Sequence, residues 1–412
     1  MSKMRILQIA HDHPDWTSGG TEILAHRLTR DLDARDDFGA RFLAAATSLQ
    51  RPDVAPGALA AQGEDFVLRT GAYDRFSMTR LDGTDWVGSL ARVLDATRPE
   101  IVHLHGLDRI GAEVLPALRR LAPRARIVLT LHDYQLICPN DGLMLTPRDG
   151  ARCDLAGADR CHRCFPEISA ARHALRRAHL MALLDLVDVF LAPSAFLRDR
   201  FVAWGLDPAR VRLVPNAVPA MPLAGTAPRA RPNRFAFLGN IARHKGVLTL
   251  LEAAARLTGD DLRVTLHGGL GWAEDSFRAE FATHLGAARP VAQHLGAYSR
   301  AEVAELIQRA DWIVVPSIWW ENAPLVILEA QAAGRPVITS GIGGMAELVA
   351  DGINGLHVRP GDAAALAETM REVADQPELW ARLAKAAPKR DYDAFVEAHV
   401  RLYAELRDRV PA

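Results

Sequence analysis

Short, nearly continuous apolar runs alternate along the chain with longer segments whose apolar residues recur at helical spacing. In the first half the apolar runs cover residues 5–10, 40–45, 101–105, 126–131, 187–192 and 211–214. In the second half they cover residues 235–238, 262–267, 312–315, 336–339 and 355–358. Continuous apolar runs of this length are typical of parallel strands that helices cover on both faces. The pattern predicts an α/β protein with doubly wound sheets.

The chain is too long for one compact core. It has 412 residues, whereas single cores stop growing at roughly 250 to 300 residues. Prolines and small residues over 214–228 interrupt both periodicities and mark a linker. We therefore expect one domain over 1–214 and a second over 215–390. Residues 391–412 should form a helix whose apolar stripe packs back on the first domain.

Composition excludes several classes of protein. Apolar residues make up 49% and charged residues 24%, as in ordinary folded proteins. The formal net charge is −1, so nucleic acid is not an expected partner. The first apolar run is shorter than a signal-peptide core or a membrane span, which predicts a cytoplasmic protein. Basic residues over 172–179 are compatible with peripheral contact at the inner face of the membrane, although a solvated helix face is the simpler interpretation.

The most informative segment follows the apolar run at 312–315 and contains Glu321 and Glu329. Pro324 suits a first helical turn, the next residues are good helix formers, and Gly334 ends the helix. Eight helical steps would separate the two glutamates by about 12 Å, more than the roughly 5 to 9.5 Å between glycosidase carboxylates. The spacing favours a clamp on the two ends of one elongated ligand. Ordinary surface glutamates beside a core helix are the alternative.

Other segments offer groups that bind anions. Backbone amides of Asn322, Ala323 and Leu325 would point at an anion near the start of this helix. A glycine turn at Gly239 follows a predicted strand, and a basic cluster that contains Arg243 and Lys245 follows the turn. Gly19 and Gly20 follow the first strand and open a helix, where glycine lets the backbone approach a pyrophosphate. A plain turn explains that glycine pair equally well.

Taken in chain order, these motifs resemble the retaining glycosyltransferases of family 4, which have the GT-B fold. The resemblance covers nearly the whole chain. It includes Gly19-Gly20, residues 130–134, 192–194 and 214–216, Gly239, Lys245-Gly246, Glu321 with Glu329, residues 343–347 and residues 351–355. The resemblance implies two Rossmann-like domains facing across a cleft, with the donor bound mostly by the second domain and the acceptor by the first.

The resemblance also implies roles for single residues. Lys245 is similar to the lysine that holds the donor diphosphate, Glu329 to the glutamate that binds ribose, and Glu321 to the one that contacts the transferred sugar. Gly20 would contact the diphosphate from the other domain. His132 is similar to the histidine near the sugar and acceptor, and this role is favoured over the alternative of a histidine satisfied at a strand end. The implied catalytic set is His132, Lys245 and Glu321, and the implied donor-binding set adds Gly19, Gly20, Gly239, Arg243, Asn322, Ala323, Pro324, Leu325 and Glu329.

One departure from the family pattern concerns charge. The family usually has arginine directly after the glycine that matches Gly239, and this chain has Asn240. Arg243 could supply the missing positive charge, or the diphosphate could be held more weakly. A charged hydrogen bond contributes about 1.5 to 3 kcal/mol, so its loss would be measurable.

The implied activity is transfer of a sugar, with retention, from a nucleotide-diphosphate sugar to a hydroxyl group. The acceptor expected is a glycan or lipid-linked glycan of bacterial envelope polysaccharide biosynthesis, and no cofactor is required for catalysis. The sequence offers no clear pair of nucleophile and base for covalent catalysis. Two alternatives stay open, a nucleotide-sugar epimerase of the same architecture and a nucleotide-sugar-binding protein without activity.

All four cysteines lie in one insertion over 138–164, as Cys138, Cys153, Cys161 and Cys164. Turn-forming residues between them predict a loop throughout. The closing Cys-x2-Cys pair is typical of half a tetrahedral zinc site, and disulfides are not expected in a reducing compartment. A structural zinc ion is favoured, with reduced thiols or an iron-sulfur cluster as alternatives. On a different predicted strand, His103 and His105 face one side, where they could line the cleft or pack at the strand's end.

Overall fold

The computed structural model describes residues 3–17, 19–81, 83–221, 229–271, 273–388 and 390–408. The chain divides into two compact units. The first unit comprises Met1–Pro215 together with Asp393–Ala412, and the second comprises Asn216–Tyr392. Residues 222–228 of the predicted linker and residues 409–412 of the predicted last helix lie outside the described residues.

The first unit is built around one large sheet. The strands of the unit are β1 Met4–Ala10, β2 Phe38–Ala46, β3 Leu59–Gln62, β4 Asp65–Arg69, β5 Tyr73–Asp74, β6 Thr79–Arg80, β7 Ile101–His105, β8 Arg126–Thr130, β9 Val189–Ala192 and β10 Val211–Leu213. Its helices before the linker are α1 Gly20–Asp33, α2 Trp86–Thr97, α3 Val114–Leu121, α4 Ala158–Cys164, α5 Ala170–Leu184 and α6 Ala195–Trp204.

The strand order of this sheet is β10-β9-β8-β7-β1-β2-β4-β3. All pairs are parallel except β3 with β4, and β5 pairs with β6 in a separate antiparallel ribbon. The six predicted strands of this half are all present. The strands β3 and β4 were not predicted, because two short runs at the sheet edge do not stand out from their neighbours.

The second unit contains one parallel sheet of order β13-β12-β11-β14-β15-β16. Its strands are β11 Arg234–Leu238, β12 Arg263–His267, β13 Ala292–His294, β14 Trp312–Val315, β15 Val337–Ser340 and β16 Gly355–Val358. Its helices are α7 Val247–Ala255, α8 Asp275–Ala287, α9 Val303–Arg309, α10 Leu325–Ala332, α11 Gly343–Leu348, α12 Ala363–Ala374 and α13 Pro377–Ala386.

Alternate residues of these strands enter two different cores. Phe235, Phe237 and Trp312 belong to one buried apolar cluster, whereas Ala236 and Ile313 belong to another. Since neighbouring side chains of a strand point to opposite faces, the sheet is covered on both sides. The predicted α/β class with doubly wound parallel sheets is confirmed. The three-residue strand β13 was missed because it is too short to show a pattern.

The last helix, α14 Tyr392–Asp408, packs against the first unit. It buries Phe395, His399 and Tyr403 among other residues. Its polar side is held by an ion pair between Glu405 and Arg212 at 2.6 Å. Among the helices described, none combines the length and the apolar character needed to cross a membrane.

Candidate active site

Lys245 and Glu321, 76 residues apart in the sequence, form an ion pair in the second unit. Lys245 Nζ lies 2.7 Å from Glu321 Oε1, and Ser317 Oγ donates to the same oxygen at 2.8 Å. The ammonium lies 5.1 Å from the centre of the Trp319 ring. Burial disfavours the charged form of Glu321, but the charge and hydrogen bond of Lys245 outweigh it and the pKa of Glu321 is lowered. The carboxylate is therefore ionised at neutral pH.

Strand order brings these two residues together. β11 and β14 are parallel neighbours, so the loop after β11 and the loop after β14 leave the same edge of the sheet. Gly246 adopts a φ of 71°, and a Cβ there would lie 1.9 Å from Pro316 O. Ile318 N donates to His244 O at 2.9 Å across the same contact. Only glycine permits this approach, which sets Lys245 beside Glu321.

A second glycine packs on the other side of Glu321. Gly344 N, in the first turn of α11, donates to Glu321 O at 2.8 Å. A Cβ at Gly344 would lie 1.5 Å from Asn322 O. Two glycines far apart in the sequence thus hold the backbone that carries Glu321. The sequence motifs included Gly344 but predicted no structural role for it.

Helix α10 begins one residue later than predicted. Pro324, with φ −58° and ψ 120°, caps the helix and does not belong to its first turn. Asn322 and Ala323 connect Glu321 to this cap, and the helix starts at Leu325. Because only the part from Leu325 onward is helical, the 12 Å spacing expected for eight helical steps does not apply. The first amides of α10, from Leu325 onward, are the ones that lack an intrahelical acceptor.

Glu329 has its own cationic partner. The guanidinium of Arg300, in the turn before α9, forms an ion pair with Glu329 Oε1. Glu329 is buried, and burial raises its pKa although Arg300 opposes this effect. Nearby, burial and then the charge of Glu329 raise the pKa of Tyr298 to about 12. Arg300 and Tyr298 were not predicted from the sequence, because neither belongs to a periodic segment or a motif.

Arg243 has a partner other than Glu321. Its Nη1 lies 3.0 Å from Glu280 Oε1, and its guanidinium lies 5.3 Å from the centre of the Phe277 ring. Both partners lie on α8. Gly239, with φ 150°, follows β11, and Asn240 beside it is exposed. The structure thus pairs Lys245 with Glu321, whereas Arg243 forms an ion pair with Glu280.

In the first unit, Gly19 and Gly20 form the turn between β1 and α1. Gly19 N donates to Glu22 Oε1 at 2.8 Å, and Thr17 Oγ1 donates to the same oxygen. A Cβ at Gly19 would lie 2.5 Å from that oxygen, which is the far end of a flexible side chain and can move aside. Glu22 thereby closes the turn, and Gly20 begins the first turn of α1, where amide hydrogens lack intrahelical acceptors.

His132 follows β8 and is hydrogen-bonded to the buried interior of the first unit. Its Nε2 lies 3.1 Å from His105 Nδ1, and His105 Nε2 lies 2.7 Å from Gln8 Oε1. Gln8 Nε2 donates to the hydroxyl group of Tyr403 on α14 at 3.1 Å. Because Gln8 Oε1 can only accept, His105 donates from Nε2. A neutral imidazole then accepts at Nδ1, so His132 donates from its Nε2 to His105 Nδ1. The network fixes the tautomer of His132.

A branch of the same network runs through His103. Tyr403 donates to His103 Nδ1 at 2.6 Å, and His103 Nε2 donates to Thr130 Oγ1 at 2.6 Å. Burial lowers the pKa of His103 and His105 well below the ordinary value. Burial, with nearby histidines, also lowers the pKa of His132 to about 3. His132 is therefore neutral at physiological pH and can act only as a hydrogen-bond donor or acceptor.

The insertion differs in part from its prediction as a loop. Its last two cysteines, Cys161 and Cys164, lie on helix α4. Cys138 and Cys153 precede this helix, and none of the four cysteines forms a disulfide. The basic stretch after the insertion is also less exposed than expected, because His173 and Arg176 on α5 are buried.

Two family models match this chain. One, described as Glycosyltransferase Family 4, matches residues 18–220, and the other, described as Glycosyl transferases group 1, matches residues 224–390. Together they cover nearly the whole chain. The chain belongs to these GT-B glycosyltransferases. The glycosyltransferase family and the GT-B fold that the sequence motifs implied are confirmed.

Curated relatives of this glycosyltransferase match over part of their length. Glycogen synthase from Mycobacterium tuberculosis is 34% identical over 237 residues, which are 54% of this chain and 56% of that protein. D-inositol 3-phosphate glycosyltransferase from Mycolicibacterium smegmatis is 34% identical over 185 residues, 43% of this chain and 42% of that protein. The chain thus spans about half the length of the curated relatives it matches.

Solved structures share the fold of this glycosyltransferase over its full length. Sucrose-phosphate synthase from Thermosynechococcus elongatus superposes with a TM-score of 0.73 at 18% identity, covering 98% of this chain and 99% of that chain. Anabaena HepE in complex with UDP and glucose gives a TM-score of 0.66 at 16% identity, covering 97% and 99%. At this identity the likeness shows the GT-B fold of two Rossmann-like domains.

Proposed function

We infer that this protein transfers a sugar, with retention of configuration, from a nucleotide-diphosphate sugar to a hydroxyl group. The observation that carries the inference is the pair of Lys245 and Glu321 at the carboxyl edge of the second sheet. A buried carboxylate paired with an ammonium beside the start of α10 suits a ligand that brings both anionic phosphates and sugar hydroxyls.

A bound donor would rearrange this pair. The diphosphate would take the ammonium of Lys245, and Glu321 would then accept hydrogen bonds from hydroxyl groups of the sugar. Glu329, one turn into α10, would accept the ribose hydroxyls, with Arg300 moving aside or sharing the carboxylate. The pair with Lys245 thus keeps Glu321 charged, and each of the two ion pairs orients its carboxylate until the donor binds.

Catalysis would depend on position and charge. The leaving diphosphate gains negative charge in the transition state, and Lys245 is placed to stabilise it. The acceptor hydroxyl would attack the anomeric carbon from the face that the diphosphate leaves. The bond from that carbon to the phosphate oxygen would break, and the departing phosphate oxygen would take the hydroxyl proton, so configuration is retained. His132, held neutral in a fixed tautomer, would position hydroxyl groups of the reacting sugars by hydrogen bonding. None of these steps needs a covalent enzyme intermediate.

The donor and acceptor classes are chosen from the relatives. One structural neighbour was solved with UDP and glucose, so UDP-glucose is the first donor to test. The curated relatives are named for glycogen and for inositol phosphate, which supports a hydroxyl acceptor. We propose that the reaction belongs to bacterial envelope polysaccharide synthesis and takes place in the cytoplasm. The first acceptor class to test is glycans, and the second is lipid-linked glycans at the inner face of the membrane.

The test is incubation of the full chain with a panel of nucleotide sugars, with and without acceptor glycans. Donors are first ranked by the rise in melting temperature that they cause, since ligands stabilise by mass action. Transfer is then followed by release of nucleoside diphosphate, and NMR of the product reports the anomeric configuration. Acceptor-dependent release with retention is expected. A changed sugar without acceptor, an inverted product, or binding without turnover would each overturn the proposal.

A further inference from the structure

The four cysteines of the chain line one small cavity. The cavity has a volume of about 20 Å³, and Pro139, Met144 and Phe165 contribute apolar walls. A volume of this size holds a single water-sized sphere. Four thiols, all half-buried and none in a disulfide, thus surround a space that fits one ion. They come from a segment that begins six residues after His132.

The backbone places the thiols on separate parts of the cavity wall. Cys138 N donates to Tyr134 O at 2.7 Å, and Cys153 N donates to Met144 O at 2.7 Å. Cys161 and Cys164 are three residues apart on α4, so their side chains share one helix face. Two turns and one helix face therefore contribute thiols to the wall of the same cavity, as in zinc sites that close on a Cys-x2-Cys pair.

A buried arginine, Arg176, supplies positive charge near the cavity. Arg176 is buried and donates to Leu136 O at 2.8 Å and to Gln135 O at 2.7 Å. It interacts electrostatically with Cys138 and Cys161. A zinc ion with four thiolates has a net charge of −2, which the apolar walls alone would not tolerate. The fixed positive charge of Arg176 offsets part of it.

Within the part of the chain that the structure describes, no three of the four cysteine sulfur atoms lie within 4.8 Å of one another. In a tetrahedral site with zinc to sulfur distances of about 2.3 Å, the sulfurs lie about 3.8 Å apart. Among the described residues, the metal-ligand atoms grouped within 4.8 Å of one another are those of His13, His26 and Asp65. Rotation about the Cα–Cβ bond moves a cysteine sulfur without moving the backbone. Closing the site therefore requires side-chain rotation inside the cavity.

The histidine and aspartate group is a weaker metal site. Asp65 Oδ2 already accepts hydrogen bonds from His13 at 3.2 Å, His26 at 2.9 Å and Arg30 at 2.8 Å. A metal ion would have to displace the arginine, which occupies the same oxygen. The group is explained as a buried carboxylate with three donors, and its histidines supply a control.

We propose that Cys138, Cys153, Cys161 and Cys164 together bind one structural zinc ion. The ion would tie α4 to the two turns before it and thereby fix the segment that follows His132. Zinc suits the site because tetrahedral thiolate coordination without redox chemistry is its usual structural mode. The proposal concerns metal content and stability, so it stands or falls independently of the glycosyltransferase activity.

The first test is metal analysis of the full chain, purified under reducing conditions without added metal or a polyhistidine tag. One zinc per chain is expected. Cobalt exchanged into the protein should give the absorption bands of a tetrahedral tetrathiolate site. Zinc well below one per chain together with no cobalt bands, iron with an iron-sulfur spectrum, or disulfides found by mass spectrometry would each overturn the proposal.

Variants locate the metal. Cys161→Ser should lower zinc affinity by at least about tenfold, measured by competition with a chromogenic chelator. The matched control His26→Gln should keep the zinc, because among the described residues it alters the one group of metal-ligand atoms that lie within 4.8 Å of one another, and no cysteine belongs to that group. If Cys161→Ser does not fold, a second experiment takes its place. The thiols of the unmodified chain are titrated with a thiol reagent, and the zinc released is measured. Retained zinc in Cys161→Ser, retained zinc after all four thiols are modified, or zinc lost in His26→Gln would contradict the assignment.

Discussion

Gln8 and Tyr403, 395 residues apart in the sequence, are joined by a hydrogen bond of 3.1 Å inside the first unit. The bond ties the last helix to the first strand. Through the other end of the Gln8 amide, it also reaches His105 and then His132. The last helix therefore contributes to the protonation pattern of His132, which is a predicted catalytic residue.

Tyr403→Phe should destabilise the protein by about 1 to 3 kcal/mol, because it leaves the Gln8 amide and His103 without their shared partner in a buried site. Urea unfolding measures the free energy of unfolding. Tyr392→Phe, at the partly exposed start of the same helix, is the matched control and should cost less. A reduced kcat with little change in donor KM would show that the network also positions His132. Equal stability of the two variants would contradict the role given to Tyr403.

Acidification should destabilise the first unit through its buried histidines. The pKa of His399 is lowered to about 4, chiefly by burial, and that of His132 to about 3. Between these values and the ordinary value near 6.5, the unfolded chain binds more protons than the folded chain. The contribution of these histidines is therefore complete above about pH 6.5 and is lost as the pH falls toward about 4.

This pH dependence can be measured by urea unfolding at pH 7, 6 and 5. The free energy of unfolding should fall with decreasing pH by about 1.4 kcal/mol per pH unit for each proton taken up on unfolding. His399→Gln should reduce this slope by about 1.4 kcal/mol per pH unit, because one proton fewer is taken up on unfolding. The exposed His179→Gln is the control and should leave the slope unchanged. A slope that is the same in His399→Gln and the unmodified chain would refute the interpretation.

Lys245→Met should lower kcat/KM by at least about a hundredfold, because it removes the cation that stabilises the leaving diphosphate. It also leaves Glu321 buried beside an apolar side chain, so stability should fall. The double variant with Glu321→Gln should recover stability and stay inactive. Lys385→Met, which removes an exposed lysine of α13, is the matched control and should behave like the unmodified chain. Substantial activity in Lys245→Met would remove this lysine from the catalytic set.

Gly246→Ala should impair both stability and activity. Its φ of 71° costs an L residue about 1 to 2 kcal/mol, and the new Cβ would also collide with Pro316 O. Gly352→Ala is a close control, since Gly352 has a φ of 69° and a Cβ added there would meet no atom within 4 Å. The difference between the two variants isolates the collision that displaces Lys245 from Glu321. Similar free energies of unfolding and similar activities would show that the loop adjusts.

The sequence by itself determined the local elements. Apolar runs such as 101–105 and 312–315 predicted strands, because a strand buried on both faces must be apolar throughout. The glycines and prolines around α10 predicted its ends to within a residue. Motif order was enough to identify the family, and the glutamates were found because they lie within one short segment.

Only the tertiary structure decided which distant residues meet. The pairing of Lys245 with Glu321 depends on β11 lying next to β14 in the sheet. The periodicity of a strand does not predict which strand lies next to it. Glu329 with Arg300, and Gln8 with Tyr403, likewise join residues from elements that the sequence pattern treats separately. The physical reason is that a periodic pattern records which face of an element is buried, whereas a partner is chosen by the packing of whole elements against each other.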